Sequence, residues 1–231
     1  MNNKYVIHYF VGIFDGEGSA QVNHWRKKNL QYRLVIKLKN TEANTKMLKT
    51  IANEIGGHVK EDKEDVLWVE NHKKRITEIL ELMDLYPPLT TRVQCQIAFI
   101  RTCMGHNDVN KYLLDRKLKY DLRQNYKPNR DITKLSYWPA WLSGFIEAEG
   151  CFSRRASGYG SFSIGQKYED YIIVAIRSYF GIVNKIVIRN NNFYVLETYN
   201  KQALERIREH CEENMLLGEK KQSYKKYLKE L

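Results

Sequence analysis

Residues 5–16 are apolar almost all the way round: Val6, Ile7, Tyr9, Phe10, Val11, Ile13 and Phe14 leave no polar stripe. That pattern predicts a buried helix and not a surface one. The period then changes from helical to alternating. Segments 19–25 and 30–39 read as a strand pair turned at Lys27-Lys28-Asn29, with Tyr32, Leu34, Ile36 and Leu38 on one face of the second strand. A helix is predicted over 43–55, with Met47, Leu48, Ile51, Ala52 and Ile55 on one side and Gly56 as its stop. A strand pair at 58–60 and 66–69, a helix carrying Ile76, Ile79, Leu80 and Met83, and a last helix over 90–104 complete the order αββαββαα.

The same order recurs further along. After an apolar helix comes a hairpin of 151–155 and 161–167, turned at Ser157-Gly158-Tyr159-Gly160. A helix over 169–180 stops at Gly181, strands at 183–189 and 193–199 flank the turn signal Asn190-Asn191-Asn192, and a helix carrying Ala203, Leu204, Ile207 and Cys211 precedes a terminal helix from 219. Two short segments anchor the repeat: Phe10-Val11-Gly12-Ile13-Phe14-Asp15-Gly16-Glu17-Gly18 and Leu142-Ser143-Gly144-Phe145-Ile146-Glu147-Ala148-Glu149-Gly150. Glu17 and Glu149 lie 132 positions apart, too far for a solenoid and right for a duplicated half-protein. The fold class is therefore α+β, with two pseudo-symmetric halves at 1–109 and 135–231. Between them, 110–134 is a basic linker carrying eight Lys or Arg and three Asp. It reads either as a solvated tether or as a segment that touches phosphates.

Charge narrows the class of partner. The chain has 231 residues, 38 of them Lys or Arg against 27 Asp or Glu, a formal net charge of +11. Such an excess points to a polyanion, nucleic acid first. A membrane is excluded, because no apolar run approaches the ~20 residues of a span. Cys95, Cys103, Cys151 and Cys211 form no C-x-x-C pair and have no nearby histidine couplet, which argues against a zinc site or a disulfide framework. No targeting peptide is visible at the start.

The two apolar helices end in an unusual way. Gly12 and Gly16 are four apart, as are Gly144 and Ala148, so each helix carries a flat strip that another backbone can approach. The simplest partner for one strip is the other. Asp15 and Glu17 fall in the last turn of the first helix, and Glu147 and Glu149 match them in the second. A carboxylate at a helix C-terminus is disfavoured by roughly 0.3–1 kcal/mol. Packing the strips together would add like-charge repulsion. Local rules broken twice at matched positions mark a functional site. A divalent cation held by hard oxygen ligands is the natural compensation, Mg²⁺ before Zn²⁺. Phosphodiester chemistry also needs cations to steady the phosphate. The repeat aligns 89–94 with 217–222, placing Arg92 opposite Lys220 at the start of each half's last helix.

Both nine-residue segments resemble the LAGLIDADG motif, and the whole chain resembles a two-motif, monomeric LAGLIDADG homing endonuclease. The resemblance implies motif helices packed on a pseudo-twofold axis and two antiparallel, saddle-shaped sheets in the major groove of double-stranded DNA. It implies metal binding by Glu17 and Glu149, with carbonyl help from Gly16 and Ala148, and assigns Asp15 and Glu147 to tying helix ends together. The metal it implies is Mg²⁺, with Mn²⁺ or Ca²⁺ substituting for binding. Arg92 and Lys220 match the family's basic position near the catalytic pocket. Ile164-Gly165-Gln166-Lys167 resembles its glutamine-lysine pair, whereas the first half offers Ile36-Lys37-Leu38-Lys39. Leu38 cannot hydrogen-bond, so unequal chemistry is expected, with Gln166 and Lys167 mattering more than Lys39.

Strand alternation supplies the expected DNA-reading face. In the first half it is Ser19, Gln21, Asn23 and Trp25 with Gln31, Arg33, Val35 and Lys37; in the second it is Ser153, Arg155, Ser161 and Ser163 with Lys185 and Arg189. Arg and Lys suit guanine edges, Asn and Gln suit adenine. A different class of function remains open on the same scaffold, an RNA-splicing factor of maturase type or a DNA-binding protein that does not cut. Abundant Asn, Lys, Ile and Tyr fits an A/T-rich organellar genome, mitochondrial or chloroplast.

Overall fold

The protein is described by a computed structural model covering residues 3–128, 130–154 and 160–228. Its first half runs α1 (Asn3–Glu17), β1 (Gly18–Trp25), β2 (Asn29–Lys39), α2 (Glu42–Ile55), β3 (His58–Glu61), β4 (Asp65–Glu70), α3 (Lys73–Leu85) and α4 (Thr91–His106). The second runs α6 (Trp138–Glu149), β5 (Cys151–Arg154), β6 (Gly160–Lys167), α7 (Asp170–Tyr179), β7 (Val187–Arg189), β8 (Phe193–Thr198), α8 (Lys201–Glu213) and α9 (Lys220–Leu228), with α5 (Val109–Asp115) between the halves. Among the described residues the strands form two antiparallel sheets of four, ordered β1-β2-β4-β3 and β5-β6-β8-β7, so the halves share one topology. The expected α+β pattern of paired halves is what the chain adopts.

Local chemistry explains the boundaries. Thr41 and Thr90 cap α2 and α4 by accepting backbone N–H bonds, as Asn200 does for α8. Gly56 ends α2 at a φ of 94°, a conformation that costs a side chain dearly. Arg26 and Lys27 both have positive φ in the β1–β2 loop, so the turn lies one residue earlier than the Lys27-Lys28-Asn29 reading. Asn191 and Asn192 match them in the β7–β8 loop, where Asn tolerates the left-handed region best.

One apolar core runs through both halves. The inward faces of the sheets supply Leu34, Ile36 and Trp68 on one side and Phe162, Ile164 and Leu196 on the other, all buried. Between them stand α1 and α6, whose Phe10, Phe14, Trp141 and Phe145 are fully buried. The linker departs from a solvated tether: its Tyr112 and Ile132 are buried, and Tyr112 donates to the Val22 carbonyl at 2.9 Å. Strand β7 is shorter than the 183–189 segment suggested, because its first residues do not pair with β8.

Candidate active site and DNA-facing sheets

The site begins where α1 meets α6. A Cβ added to Gly12 would sit 1.9 Å from the Trp141 carbonyl oxygen, and one on Gly144 would sit 2.1 Å from that of Tyr9. A Cβ on Gly16 would lie 2.3 Å from that of Ala148. The two small-residue strips therefore touch backbone to backbone, as the spacing predicted.

The four acids at the helix tips divide by environment. Asp15 is buried and accepts four hydrogen bonds: Leu89 N–H at 2.6 Å, Thr90 N–H at 3.0 Å, Thr90 hydroxyl at 2.5 Å and Trp141 Nε1–H at 2.8 Å. Glu147 mirrors it, accepting from Tyr9 hydroxyl at 3.0 Å, Gly218 N–H at 3.0 Å and Lys220 N–H at 2.7 Å. Each tethers its own helix tip to the first turn of its half's last helix, where a carboxylate is favoured by the dipole. Burial still lifts Asp15 to about 6, against the pull of those bonds.

Glu17 and Glu149 lie one residue pair further on. Glu17 is exposed and Glu149 partly buried. Burial, then the charge of Glu17, raises the Glu149 carboxyl to about 7. Glu17 is also raised by desolvation, and Arg92 and Lys220 oppose that rise. Both cations pull on Glu149 too, as does a hydrogen bond from the Gln166 side chain. Five sequence-identified residues thus converge: Glu17, Glu149, Arg92, Lys220 and Gln166. Arg92 forks onto the end of α1, donating to the carbonyls of Asp15 (2.7 Å), Gly16 (2.9 Å) and Gly18 (2.7 Å). The Gly16 carbonyl, expected as a metal ligand, is thereby engaged by a guanidinium. Lys39 and Lys167 end their strands exposed, and the Lys167 ammonium lies 5.1 Å over the Tyr168 ring. Leu38 packs against the core and offers no counterpart to Gln166.

Register places most of the expected reading face together. Ser19 pairs with Val35, Gln21 with Arg33 and Asn23 with Gln31, while Lys37 pairs with Leu67. Val35 is buried, so its side chain is a floor and not a probe. Lys37 is bound to Asp65 at 2.6 Å. Arg33 lies in a hollow with Asn23, Gln31, Lys60, Asn71 and Lys73, and its Nε is buried with no partner among the described residues. In the second sheet Ser153 pairs with Ser161, Lys167 with Phe193 and Arg189 with Phe193. Ser161, expected on the reading face, is buried with its hydroxyl 2.9 Å from that of Ser153, so it is covered and cannot reach a base edge. Lys185 is exposed but precedes β7, outside the strand it was expected to occupy. Arg155 and the expected turn at 157–159 lie outside the described residues.

A profile described as LAGLIDADG endonuclease matches residues 10–103 and 142–231, one match over each half. The chain belongs to the LAGLIDADG endonuclease family. It is 42% identical to a probable intron-encoded endonuclease aI3 of Dictyostelium citrinum, over 95% of this chain and 92% of that protein. It is 38% identical to a protein of the same name from Debaryomyces hansenii, covering 98% of this chain but 38% of that longer protein. The fold matches the LAGLIDADG meganuclease I-CpaMI, solved bound to uncleaved DNA, at a TM-score of 0.74 and 17% identity over 96% of this chain and 90% of that one. It also matches I-SmaMI, solved on uncleaved DNA with calcium ions, at 0.72 and 18% over 99% and 90%.

Against the LAGLIDADG frame, sequence reading overlooked three kinds of residue. His58 and Lys60 on β3 share the outward face, because β3 pairs with β4 opposite Val69 and Leu67. Cys151, exposed, stands where Ser19 stands in the first half and pairs with Ser163. Alternation extended one strand further reaches His58 and Lys60, and extended two residues back along β5 from Ser153 it reaches Cys151. Glu169 had no such signal; it is buried just before α7 and bonds across to the first half.

Proposed function

We infer that the chain is a site-specific double-strand DNA endonuclease that hydrolyses one phosphodiester in each strand of a long target with the help of a divalent metal. The observation that carries this reading is the pair Glu17 and Glu149, brought together at the tips of helices packed backbone to backbone. A protein that only binds DNA or RNA gains nothing from two carboxylates that repel each other beside a basic surface. That favours cleavage over the RNA-splicing or non-cutting alternatives.

The donor set is all oxygen: two carboxylates and the Ala148 carbonyl at the helix ends, with the Gly16 carbonyl able to join only through the lone pair that its bond from Arg92 leaves free. It fits a hard divalent cation, Mg²⁺ in the cell, with Mn²⁺ or Ca²⁺ substituting in binding. Bound there, such a cation would activate water and offset charge on the scissile phosphate. The chain's own residues do the rest. Glu17 and Glu149 each serve one strand. Arg92 and Lys220, set at helix starts, supply positive charge to the phosphate as it gains negative charge. Gln166 orients Glu149 and a neighbouring water, and Lys167 and Lys39 add charge at the strand ends. Because Leu38 replaces the second glutamine, the two strands are cut by unequal machinery.

Recognition falls to the outward sheet faces. A strand of nine or ten residues spans about 30 Å, roughly nine base pairs, so two halves cover roughly 18–20. Ser19, Gln21, Asn23, Trp25, Gln31, Arg33, Lys37, Ser153, Ser163 and Arg189 are the reading residues, with Lys185 beside them. The cut leaves short 3′ overhangs. The chain acts as a monomer, 1–109 and 135–231 supplying one half each and 110–134 joining them. It works in an organelle, in keeping with intron-encoded relatives.

The test is selection of cleaved duplexes from a randomised DNA library with Mg²⁺. The parent should enrich one long site. A Glu17→Gln, Glu149→Gln double variant should bind that site with similar affinity and leave it whole. Cleavage by the double variant would overturn the assignment.

A further inference from the structure

Arg123 belongs to the basic linker but is not solvated. It sits in a 3-10 turn (Arg123–Tyr126), with its side chain 18% exposed, and meets Glu169, 1% exposed, at 2.5 Å. Its Nε donates to the Thr91 hydroxyl oxygen at 2.5 Å, and its guanidinium lies 4.6 Å over the Tyr168 ring. Lys127, one turn on, binds Asp170 at 2.8 Å.

Glu169 precedes α7 in the second half but faces α4 of the first. It accepts from the Thr91 N–H at 3.1 Å, the Thr91 hydroxyl at 2.7 Å and the Arg92 N–H at 3.3 Å. The free N–H groups at the start of α4 are thus shared between two buried carboxylates. Asp15 of the first half takes Leu89 and Thr90, and Glu169 of the second takes Thr91 and Arg92. From that clamped turn the Arg92 side chain reaches across to the carbonyls beside Glu17. A buried carboxylate without a partner is strongly unfavourable, and Arg123 supplies the partner.

The other basic residue is held differently. Glu147 takes the N–H groups of Gly218 and Lys220, as Asp15 takes those of Leu89 and Thr90. The N–H of Glu219 between them, however, goes to Asn44 Oδ1 at 3.0 Å, a neutral amide that no linker side chain meets among the described residues. Each turn is thus held by the acid of its own motif helix, but the second acceptor differs: at α4 it is a carboxylate paired by the linker, at α9 a neutral amide.

We propose that Arg123 and Glu169 are positioning residues: a clamp, closed by the linker, that holds Arg92 at the Glu17 end of the site, so that cutting of one strand depends on the linker. The proposal rests on the endonuclease reading. Its test measures the two nicking rates separately, in single turnover with saturating full-length protein and Mg²⁺, on the site selected by the parent. Arg123→Met should slow one strand about ten-fold more than the other while DNA affinity stays within about three-fold. Adding Glu169→Gln removes the unpaired buried charge and should recover a large part of that loss. Asn44→Ala should shift the strand ratio the opposite way.

Equal slowing of both strands by Arg123→Met, in step with lost thermal stability and without rescue by Glu169→Gln, overturns the clamp. Should Arg123→Met fail to fold, Arg123→Lys keeps the charge but loses the fork, and an unchanged strand ratio in that variant overturns it as well. Backbone hydrogen exchange separates this failure from failure of the endonuclease reading. In Arg123→Met, residues 91 and 92 should exchange faster while 218–220 do not, whether or not the parent cuts DNA. Unchanged exchange at 91 and 92 refutes the clamp, whereas absence of cleavage by the parent refutes the reading.

Discussion

His210 is buried against Ser143 and Tyr179, its Nε2 3.1 Å from the Ser143 hydroxyl and its Nδ1 3.4 Å from that of Tyr179. Because the Ser143 hydroxyl donates onward to the Asn214 carbonyl, the pair is satisfied by a neutral imidazole. Burial depresses its pKa to about 4. Unfolding frees the ring to take up a proton near 6.5, so at this site the unfolded chain binds more protons between those values. The His210 contribution to stability therefore falls as pH drops, opposite in sign to that of the raised Asp15 and Glu149 carboxyls. The loss approaches about 3 kcal/mol by pH 4. His210→Gln should remove that slope, so denaturant melts of parent and variant at pH 7 and pH 4.5 should diverge only at the lower value. Residues of this kind are hard to read in a sequence, because their role is set by neighbours dozens of positions away. Glu17 and Glu149 were legible because a motif repeated at matched helix ends exposed them. Glu169 and Arg123 carry no such mark: a lone acid before a helix and one arginine in a charge run look solvated until the fold closes over them. Val35 and Ser161 failed in the opposite sense, since alternation gives a residue's face but not how deeply that face is covered.

At the level of elements, the contact between α1 and α6 is the feature that periodicity and composition described best. Apolar residues all round predicted burial, and glycines four apart predicted close approach; Gly12 and Gly144 lie against the Trp141 and Tyr9 carbonyls. There is no flexible side-chain end at either contact that could yield, so an added methyl must push the helix axes apart. Gly144→Ala should therefore destabilise by about 1–3 kcal/mol or more. It should also lower cleavage beyond what the loss of folded protein explains, because Glu17 and Glu149 ride on the separated tips. Calorimetry and cleavage per folded molecule measure the two effects independently. The strand pairs were equally readable, from clean alternation in β2 and from Asn190-Asn191-Asn192. The linker was not, because helix α5 and its buried Tyr112 depend on the outer edge of the first half for cover. Strand β7 shrank because nothing in residues 183–186 pairs with β8, although their composition suits a strand.

For the molecule as a whole, duplication in the chain need not mean two independently folding bodies. Each half contributes its apolar motif helix to the middle of the structure, where Tyr9, Phe10, Phe14, Trp141 and Phe145 are fully buried. Polar links also cross the seam: Trp141 donates to Asp15, Tyr9 to Glu147, and Thr91 and Arg123 to Glu169. If one half unfolded alone, it would expose the partner's helix face to water. Loss of the first half would take Tyr9 from Glu147 and Thr91 from Glu169, and loss of the second would take Trp141 from Asp15, at about 1–3 kcal/mol for each buried group left unsatisfied. Those costs fall on the half that remains folded, so partial unfolding saves little and the intermediate is poorly populated. The expected outcome is a single calorimetric transition whose calorimetric and van't Hoff enthalpies agree. Fluorescence should report the same midpoint, because Trp68 lies in the first sheet while Trp138 and Trp141 lie on α6, sampling both halves at once. Two resolved transitions, or a tryptophan midpoint displaced from that of the backbone signal, would show that the halves melt separately and that the seam between the motif helices is weaker than its packing implies.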